Sequence, residues 1–276
     1  MDKLPVSAII IARNSEEHIE NCLRAVQSNN PAEIILVDGN STDGTLNIAR
    51  MYTYKIYSDD GRGESYARQL GAEKASQEYI SYIDSDAILT EGALSTMLTE
   101  FNTSDYISIK ALVLPGDKIT NYWQRSQEQH RKLRHVENSI GTLACIFRRE
   151  TIMKFPFDLS PRGLLDDSDL EYRLKKVGYK FGTSTAIVFH PHRATFKEFV
   201  KRRFKDGRGM ARFVHKHGPW HAGVWPPLHL FYWVGVSIIK GKPKMIPYFV
   251  VNGVTQTAGM IKGSFELIDE AFHKNN

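Results

Sequence analysis

Two aspartates one residue apart, Asp84 and Asp86, close a short apolar run at residues 79–83. In extended backbone, side chains two apart point the same way, so both carboxylates face one side while Ser85 faces the other. Two hard oxygen donors on one side suit a divalent cation that also holds phosphates. On spacing alone, a pair of turn-capping aspartates fits equally well. A second polar turn, Asp38-Gly39-Asn40-Ser41-Thr42-Asp43-Gly44-Thr45, also follows an apolar run and opens a helical pattern. It offers carboxylates, hydroxyls and helix N-terminal amides to a nucleotide, or else is simply a well-capped turn. No Gly-Lys-Ser/Thr occurs and no Gly-x-Gly-x-x-Gly follows the first apolar run, so a Walker loop is excluded and Rossmann-type oxidoreduction disfavoured.

The elements that must position these residues alternate. Residues 6–11, 33–37 and 79–83 are short, apolar and rich in β-branched types, as strands are. Between them, Ile19, Cys22, Leu23 and Val26 recur at helical spacing, with Asn14 as the expected cap and Glu17 as the expected capping-box carboxylate. Further helices are expected through Leu46, Ala49 and Met51, over 66–76 and over 91–101. Strands are expected at 106–114 and 140–147, separated by a long polar stretch around Trp123. A helix over 170–177, ended by Gly178, and an extended segment at 180–190 follow. Strands alternating with helices predict an α/β fold, a mainly parallel sheet flanked by helices, with ligands at the carboxyl ends of its strands, where Asp38 and Asp84 fall. The 276 residues, 42% hydrophobic and 24% charged, suffice for such a core. Cys22 and Cys145 are too few for a disulfide framework or a four-sulfur metal site, which indicates a reducing compartment and core thiols.

Several motifs in one order resemble family 2 glycosyltransferases of the GT-A fold. They are Ile9-Ile10-Ile11-Ala12-Arg13-Asn14-Ser15-Glu16, the turn Val37 to Thr45, Gly63 with Arg68 and Gly71, and Ile83-Asp84-Ser85-Asp86. Leu165-Asp166-Asp167-Ser168-Asp169-Leu170 follows, then Arg173-Leu174 and Gly178-Tyr179-Lys180, so the likeness covers roughly residues 5–192. The resemblance implies transfer of a sugar from a nucleotide diphosphate sugar, UDP- or GDP-linked, to an acceptor, with inversion at the anomeric carbon. It implies a donor pocket of Ala12, Arg13, Asn14 and Glu16, then Asp38, Asn40, Ser41 and Asp43, then Gly63, Arg68, Asp84, Ser85 and Asp86. Asp38 would recognise the base, Asp86 would be the direct ligand of Mg²⁺ or Mn²⁺, Asp84 would touch ribose or metal, and Arg68 would brace the metal-motif loop or contact phosphate. His190, in His190-Pro191-His192, is a candidate third metal ligand, with His192 a weaker one. An attacking hydroxyl needs a base, for which Asp167 is the candidate and Asp166 the alternative, because the family pattern has Glu-Asp where this chain has Asp166-Asp167. Asp169 is expected as a helix cap paired with Arg173. A nucleotidyltransferase on a similar sheet is the rival enzyme.

The net charge is +5, yet residues 193–216 alone hold nine Lys or Arg against Glu198 and Asp206. On a helix, Lys197, Lys201, Lys205, Arg208, Arg212 and Lys216 fall in one arc beside an apolar one, an amphipathic cationic helix that Gly207 and Gly209 are expected to loosen. Residues 222–239 and 245–261 carry no charge, with Trp220, Trp225 and Trp233 at the first run. A first run that spanned a bilayer would strand Lys240, Lys242 and Lys244 on the far side from the catalytic domain, against the positive-inside tendency, so helices lying in the membrane surface are expected. The predicted organisation is a catalytic domain at 1–192, with donor and acceptor halves meeting near residue 100, and a membrane-associating helical extension at 193–276. The N-terminal residues lack the features of a secretory signal, so the protein is expected at the cytoplasmic face of the membrane, acting on a sugar or lipid-linked acceptor. A nucleic-acid-binding role for the basic segment would leave the carboxylate motifs without a task, and no nucleic-acid partner is expected.

Overall fold

The computed structural model describes residues 2–134, 138–159, 165–191, 195–218 and 226–274. His192, Trp220 and Trp225 lie outside the described residues. The chain forms two compact units, Met1–Lys118 with His135–Pro191, and Ile119–Arg134 with His192–Asn276.

The first unit is built on an eight-stranded sheet. Its elements are β1 (Leu4–Ala12), α1 (Ile19–Ser28), β2 (Pro31–Asp38), α2 (Thr45–Ala49), β3 (Ile56–Ser58), α3 (Glu64–Lys74), β4 (Tyr79–Asp84), β5 (Ile88–Leu89), α4 (Ala93–Asn102) and β6 (Ser108–Pro115). After α5 (Tyr122–Arg134), which belongs to the other unit, come β7 (Ala144–Arg148), α6 (Arg149–Lys154), α7 (Asp166–Lys176) and β8 (Phe181–His190). The strand order is β3-β2-β1-β4-β7-β6-β8-β5. Pairings around β1 and β2 are parallel, whereas β7 runs antiparallel between β4 and β6, which makes the sheet mixed. Because β7 reverses direction twice over, β6 and its parallel neighbour β8 run the same way as β4. The carboxyl ends of β1, β2, β4 and β8 therefore share one edge, at Ala12, Asp38, Asp84 and His190.

Both faces of the sheet are covered, as its near-continuous apolar strands require. Val6, Ala8 and Ile10 of β1 pack with Leu23 of α1 and Met97 of α4, while Ile9 packs with Ala72 of α3 and Leu170 and Leu174 of α7. A Cβ at Gly71 would come within 2.4 Å of Ile9 Cγ2, so glycine there lets α3 press onto β1. Cys22 and Cys145 are buried and unpaired with each other, and burial pushes both thiols up, Cys145 to about 12.

Several local expectations are corrected. Asn14 does not cap α1: the helix begins at Ile19, its N-cap position is His18, and Asn14 sits at φ 49 with its side chain turned elsewhere. Asparagine tolerates that left-handed backbone better than most residues, and the polar turn, not the helix, claims it. The polar stretch around Trp123 is the helix α5, whose Trp123 and Leu133 pack with the apolar core of the second unit.

That second unit consists of α5, α8 (Phe196–His217), α9 (Pro226–Ile239), a 3-10 turn at Pro243–Met245 and α10 (Ile246–Lys274). Its core is Phe199, Trp233, Met245, Tyr248 and Phe249. A capping box starts α8, with Thr195 and Glu198 exchanging side-chain and backbone hydrogen bonds. Gly207 and Gly209 do not loosen α8. Both are buried within an unbroken helix, and a Cβ at Gly207 would lie 2.1 Å from the Gln256 carbonyl oxygen, so the glycine admits α10 at close range. The cationic arc is also divided: Arg208 pairs with Glu266 at 2.8 Å and Arg212 with Glu270 at 2.5 Å, both on α10. Among the described residues, no helix is long and apolar enough to cross a membrane.

Candidate active site

The loop after β1 and the turn after β2 are laced together by their own polar groups. Asn14 Oδ1 accepts from the Thr42 amide at 2.8 Å, Ser41 Oγ from the Asn14 amide at 2.9 Å, and Glu16 Oε2 from the Gly44 amide at 3.0 Å. Asp43 Oδ2 accepts from the Glu16 amide and its Oδ1 from Thr45. Asn14, Glu16, Ser41 and Asp43, four of the expected donor-pocket residues, thus tie the two loops to each other. Asn40 adopts φ 58 and accepts from Ser58 Oγ at 3.2 Å.

Asp38 enters that lacing through one carboxylate oxygen only. Asp38 is buried; its Oδ2 accepts from the Ser41 amide at 2.9 Å, while its Oδ1 has no hydrogen-bond partner among the described residues. A buried acceptor without a donor is costly, and a ligand N–H would satisfy it. Arg13 is exposed beside Gly39, where a Cβ would come within 3.1 Å of Arg13 Cβ. The neighbouring loop, which carries Gly63, is shaped by Asp59. Its carboxylate accepts from the amides of Gly61 at 2.7 Å and Gly63 at 3.0 Å, and both glycines have positive φ. Sequence reasoning passed over Asp59, although Asp59-Asp60-Gly61 carries the signal of an aspartate folding the chain back on its own amides.

Asp84 ends β4 and Asp86 follows in the turn, with His190 at the end of β8. Each of the three brings a ligand atom within 4.8 Å of the other two, and His190 Nε2 lies 3.2 Å from Asp86 Oδ1. Two carboxylates and an imidazole fit a divalent cation, and the imidazole favours a transition metal such as Mn²⁺ over Mg²⁺. Ser85 points away, to Ser15 Oγ at 2.9 Å, which ties the motif to the loop after β1.

Arg68 of α3 connects this cluster to α7. Its side chain is 7% exposed; its Nη1 donates to Asp166 Oδ2 at 2.5 Å and its Nη2 lies 3.6 Å from Asp84 Oδ1. Residues 68, 84 and 166, far apart in the chain, therefore meet at one guanidinium. Burial opposes the charge on Arg68, but Asp166 and Asp84 outweigh it and raise its pKa. Burial raises Asp84, with Arg68 opposing and Asp86 adding to the rise; burial likewise raises Asp166, with Arg68 opposing and Asp167 adding. The negative charge gathered here suits a cation.

The first turn of α7 holds three aspartates in different states. Asp166 is buried against Arg68, and Asp169 is buried with Arg173 Nε at 2.8 Å. Asp167 is only half-buried, and its Oδ1 accepts from the Ser168 amide at 2.7 Å. Leu165, before them, holds φ 61, a strained backbone for a branched side chain that sets the direction in which this turn enters the helix.

Residues 7–157 match Glycosyl transferase family 2. Among curated proteins, the chain is similar to glycosyltransferase AglE of Haloferax volcanii, 24% identical over 74% of this chain and 72% of that one. It is also similar to the O-antigen chain rhamnosyltransferase WbaN of Salmonella anatum, 26% identical over 70% of this chain, and it spans 66% of WbaN, so a third of that relative has no counterpart here. Its fold is similar to that of a mannosyltransferase from Pyrobaculum calidifontis solved with GDP-Man and Mn²⁺, with a TM-score of 0.63, 16% identity and coverage of 92% of this chain and 87% of that one. Glucosyl-3-phosphoglycerate synthase from Mycobacterium tuberculosis, solved with Mn²⁺ and UDP, gives a TM-score of 0.59 at 18% identity, over 79% and 82% of the two chains. At such identities the likeness is one of fold, and that fold is GT-A-like. With more than half of its length matched by one family, the chain belongs to glycosyl transferase family 2 and is a glycosyltransferase.

Proposed function

We propose that the protein transfers a sugar from a UDP- or GDP-sugar to an acceptor hydroxyl or phosphate, with inversion and with a divalent metal. The observation that carries this reading is Arg68, whose single guanidinium reaches both the Asp84 end of the metal motif and the acidic turn of α7. Asp84, Asp86 and His190 would hold Mn²⁺ or Mg²⁺. Bound there, the cation supplies neutralisation of the charge that develops on the departing diphosphate. Asp38 Oδ1, buried and without a partner among the described residues, accepts from an N–H of the base, and Arg13 reaches the same ligand from the exposed side of the loop.

Asp167 takes the acceptor proton. Asp166 is paired with the buried Arg68 and Asp169 with Arg173, and Asp167 is the half-buried carboxylate between them. Arg68 holds the two carboxylate groups at a fixed separation, which aligns nucleophile and leaving group at little entropic cost during the reaction. The acceptor is a lipid-linked sugar or polyprenyl phosphate, and the helical unit meets the cytoplasmic face of a membrane peripherally. The exposed apolar side chains of α9 and α10 support that reading.

The test is product analysis with candidate nucleotide sugars and Mn²⁺. Free nucleoside diphosphate is expected, and Asp86→Ala should lower metal-dependent release by about 10³-fold or more. Release of pyrophosphate instead would make the enzyme a nucleotidyltransferase.

A further inference from the structure

The exposed apolar side chains of the helical unit are ordered. On α10, Val250, Val254, Ile261, Phe265, Ile268 and Phe272 are all exposed, and at about 100° per residue they occupy an arc of about 60°. The opposite side of α10 is pressed to α8, where a Cβ at Gly259 would lie 2.2 Å from the Phe204 carbonyl oxygen. On α9, Leu228, Phe231, Tyr232, Ile238 and Ile239 are likewise exposed along one side, Phe231 at 72% and Ile239 at 82%. Apolar surface of this extent calls for a partner.

The connection between the two helices says which partner. Helix α9 ends in a Schellman motif: the Lys242 amide donates to the Ser237 carbonyl at 2.7 Å and the Gly241 amide to Ile238 at 3.0 Å, with Gly241 at φ 65. Tyr122 Oη donates to the Lys244 carbonyl at 2.8 Å and pins the turn from α5. Three lysines, Lys240, Lys242 and Lys244, are thus held within five residues, directly after the two exposed isoleucines. From Gly207 to Phe265 the chain has no Asp or Glu. A second copy docking through this turn would set lysines against lysines with no carboxylate to answer them. Apolar side chains edged by lysines match a lipid monolayer, with acyl chains below and anionic headgroups above.

We propose that the α9–α10 turn and its apolar arcs form a membrane-inserting surface: Ile238 and Ile239 enter the acyl region, and Lys240, Lys242 and Lys244 bind anionic phospholipid headgroups. This rests on the reading of the helical unit as membrane-facing, and it moves lipid recognition away from α8. Two of the α8 arginines, Arg208 and Arg212, are already held by α10 glutamates.

The experiment is co-sedimentation of the full chain with vesicles of phosphatidylcholine alone or mixed equally with phosphatidylglycerol. Wild-type protein should bind the mixed vesicles more tightly. Lys240→Gln, Lys242→Gln and Lys244→Gln combined should weaken that preference by about a hundredfold. Ile238→Asp with Ile239→Asp should abolish binding to both vesicle types, and Lys197→Gln with Lys201→Gln on α8 should change it by less than about threefold. Donor hydrolysis without lipid, measured on each variant, should be unchanged and reports folding. Wild-type binding that the lysine and isoleucine variants leave intact would overturn the assignment of the turn while leaving membrane attachment standing. No wild-type binding to either vesicle would overturn both. A dimer in sedimentation velocity that Ile239→Asp dissolves, without vesicle binding, would give the surface to a second copy.

Discussion

The sheet unit hides charge, and the helical unit displays hydrocarbon. In the first, Arg68, Asp166 and Asp169 are buried, and the half-buried Asp84, Asp86 and His190 gather beside them. In the second, Phe231, Ile239, Phe265 and Phe272 face outward from helices whose other sides are closely packed. Each arrangement runs against the ordinary distribution of residues in a folded chain. Buried ions are tolerated only when paired, and solvent-facing phenylalanine or isoleucine in rows is retained only where something covers it. The contrast teaches that the two units place opposite kinds of group against type: one gathers paired charge inside, the other leaves rows of apolar side chains outside.

Substitutions sharpen that contrast by asking how much each unit depends on its charges. Arg68→Met should have the largest effect on stability, roughly 3–5 kcal/mol by denaturant unfolding, because it leaves Asp166 and Asp84 without their shared cation. Gly207→Ala should follow, at about 1–3 kcal/mol, since its Cβ would meet the Gln256 carbonyl on the packed side of α10. Arg212→Gln should cost about 1 kcal/mol or less, because its partner Glu270 remains one-third exposed and water replaces the lost contact. Should Arg212→Gln prove as costly as Arg68→Met, the distinction between the units would collapse.

Local spacing pointed to the acidic cluster of the candidate site. Asp84 and Asp86 were legible because a strand end and a two-residue interval determine where both carboxylates point, and His190 because it closes another strand on the same edge. The link between Arg68 and Asp166 spans 98 residues, and no local pattern encodes it. The same limit explains the helical unit. The charges of α8 read as a continuous cationic arc because Glu266 and Glu270, which take up Arg208 and Arg212, lie 58 residues further on. Helix α5 was missed because its few apolar residues, Trp123 and Leu133 among them, are separated by Gln, Arg and His. Asn14 shows the reverse error: a good cap by type, it was already required by the turn after β2.

Metal and donor binding measured alongside transfer, for the wild type, Asp86→Ala and Asp167→Asn, tests the convergence of these carboxylates most directly. Calorimetry with Mn²⁺ and UDP or GDP should show binding lost in Asp86→Ala and kept in Asp167→Asn, while sugar transfer falls in both, by about 10³-fold for Asp167→Asn. Transfer at the wild-type rate by Asp167→Asn, or undiminished Mn²⁺-dependent nucleotide binding by Asp86→Ala, would contradict a site in which one group of acidic residues grips the donor and another primes the acceptor.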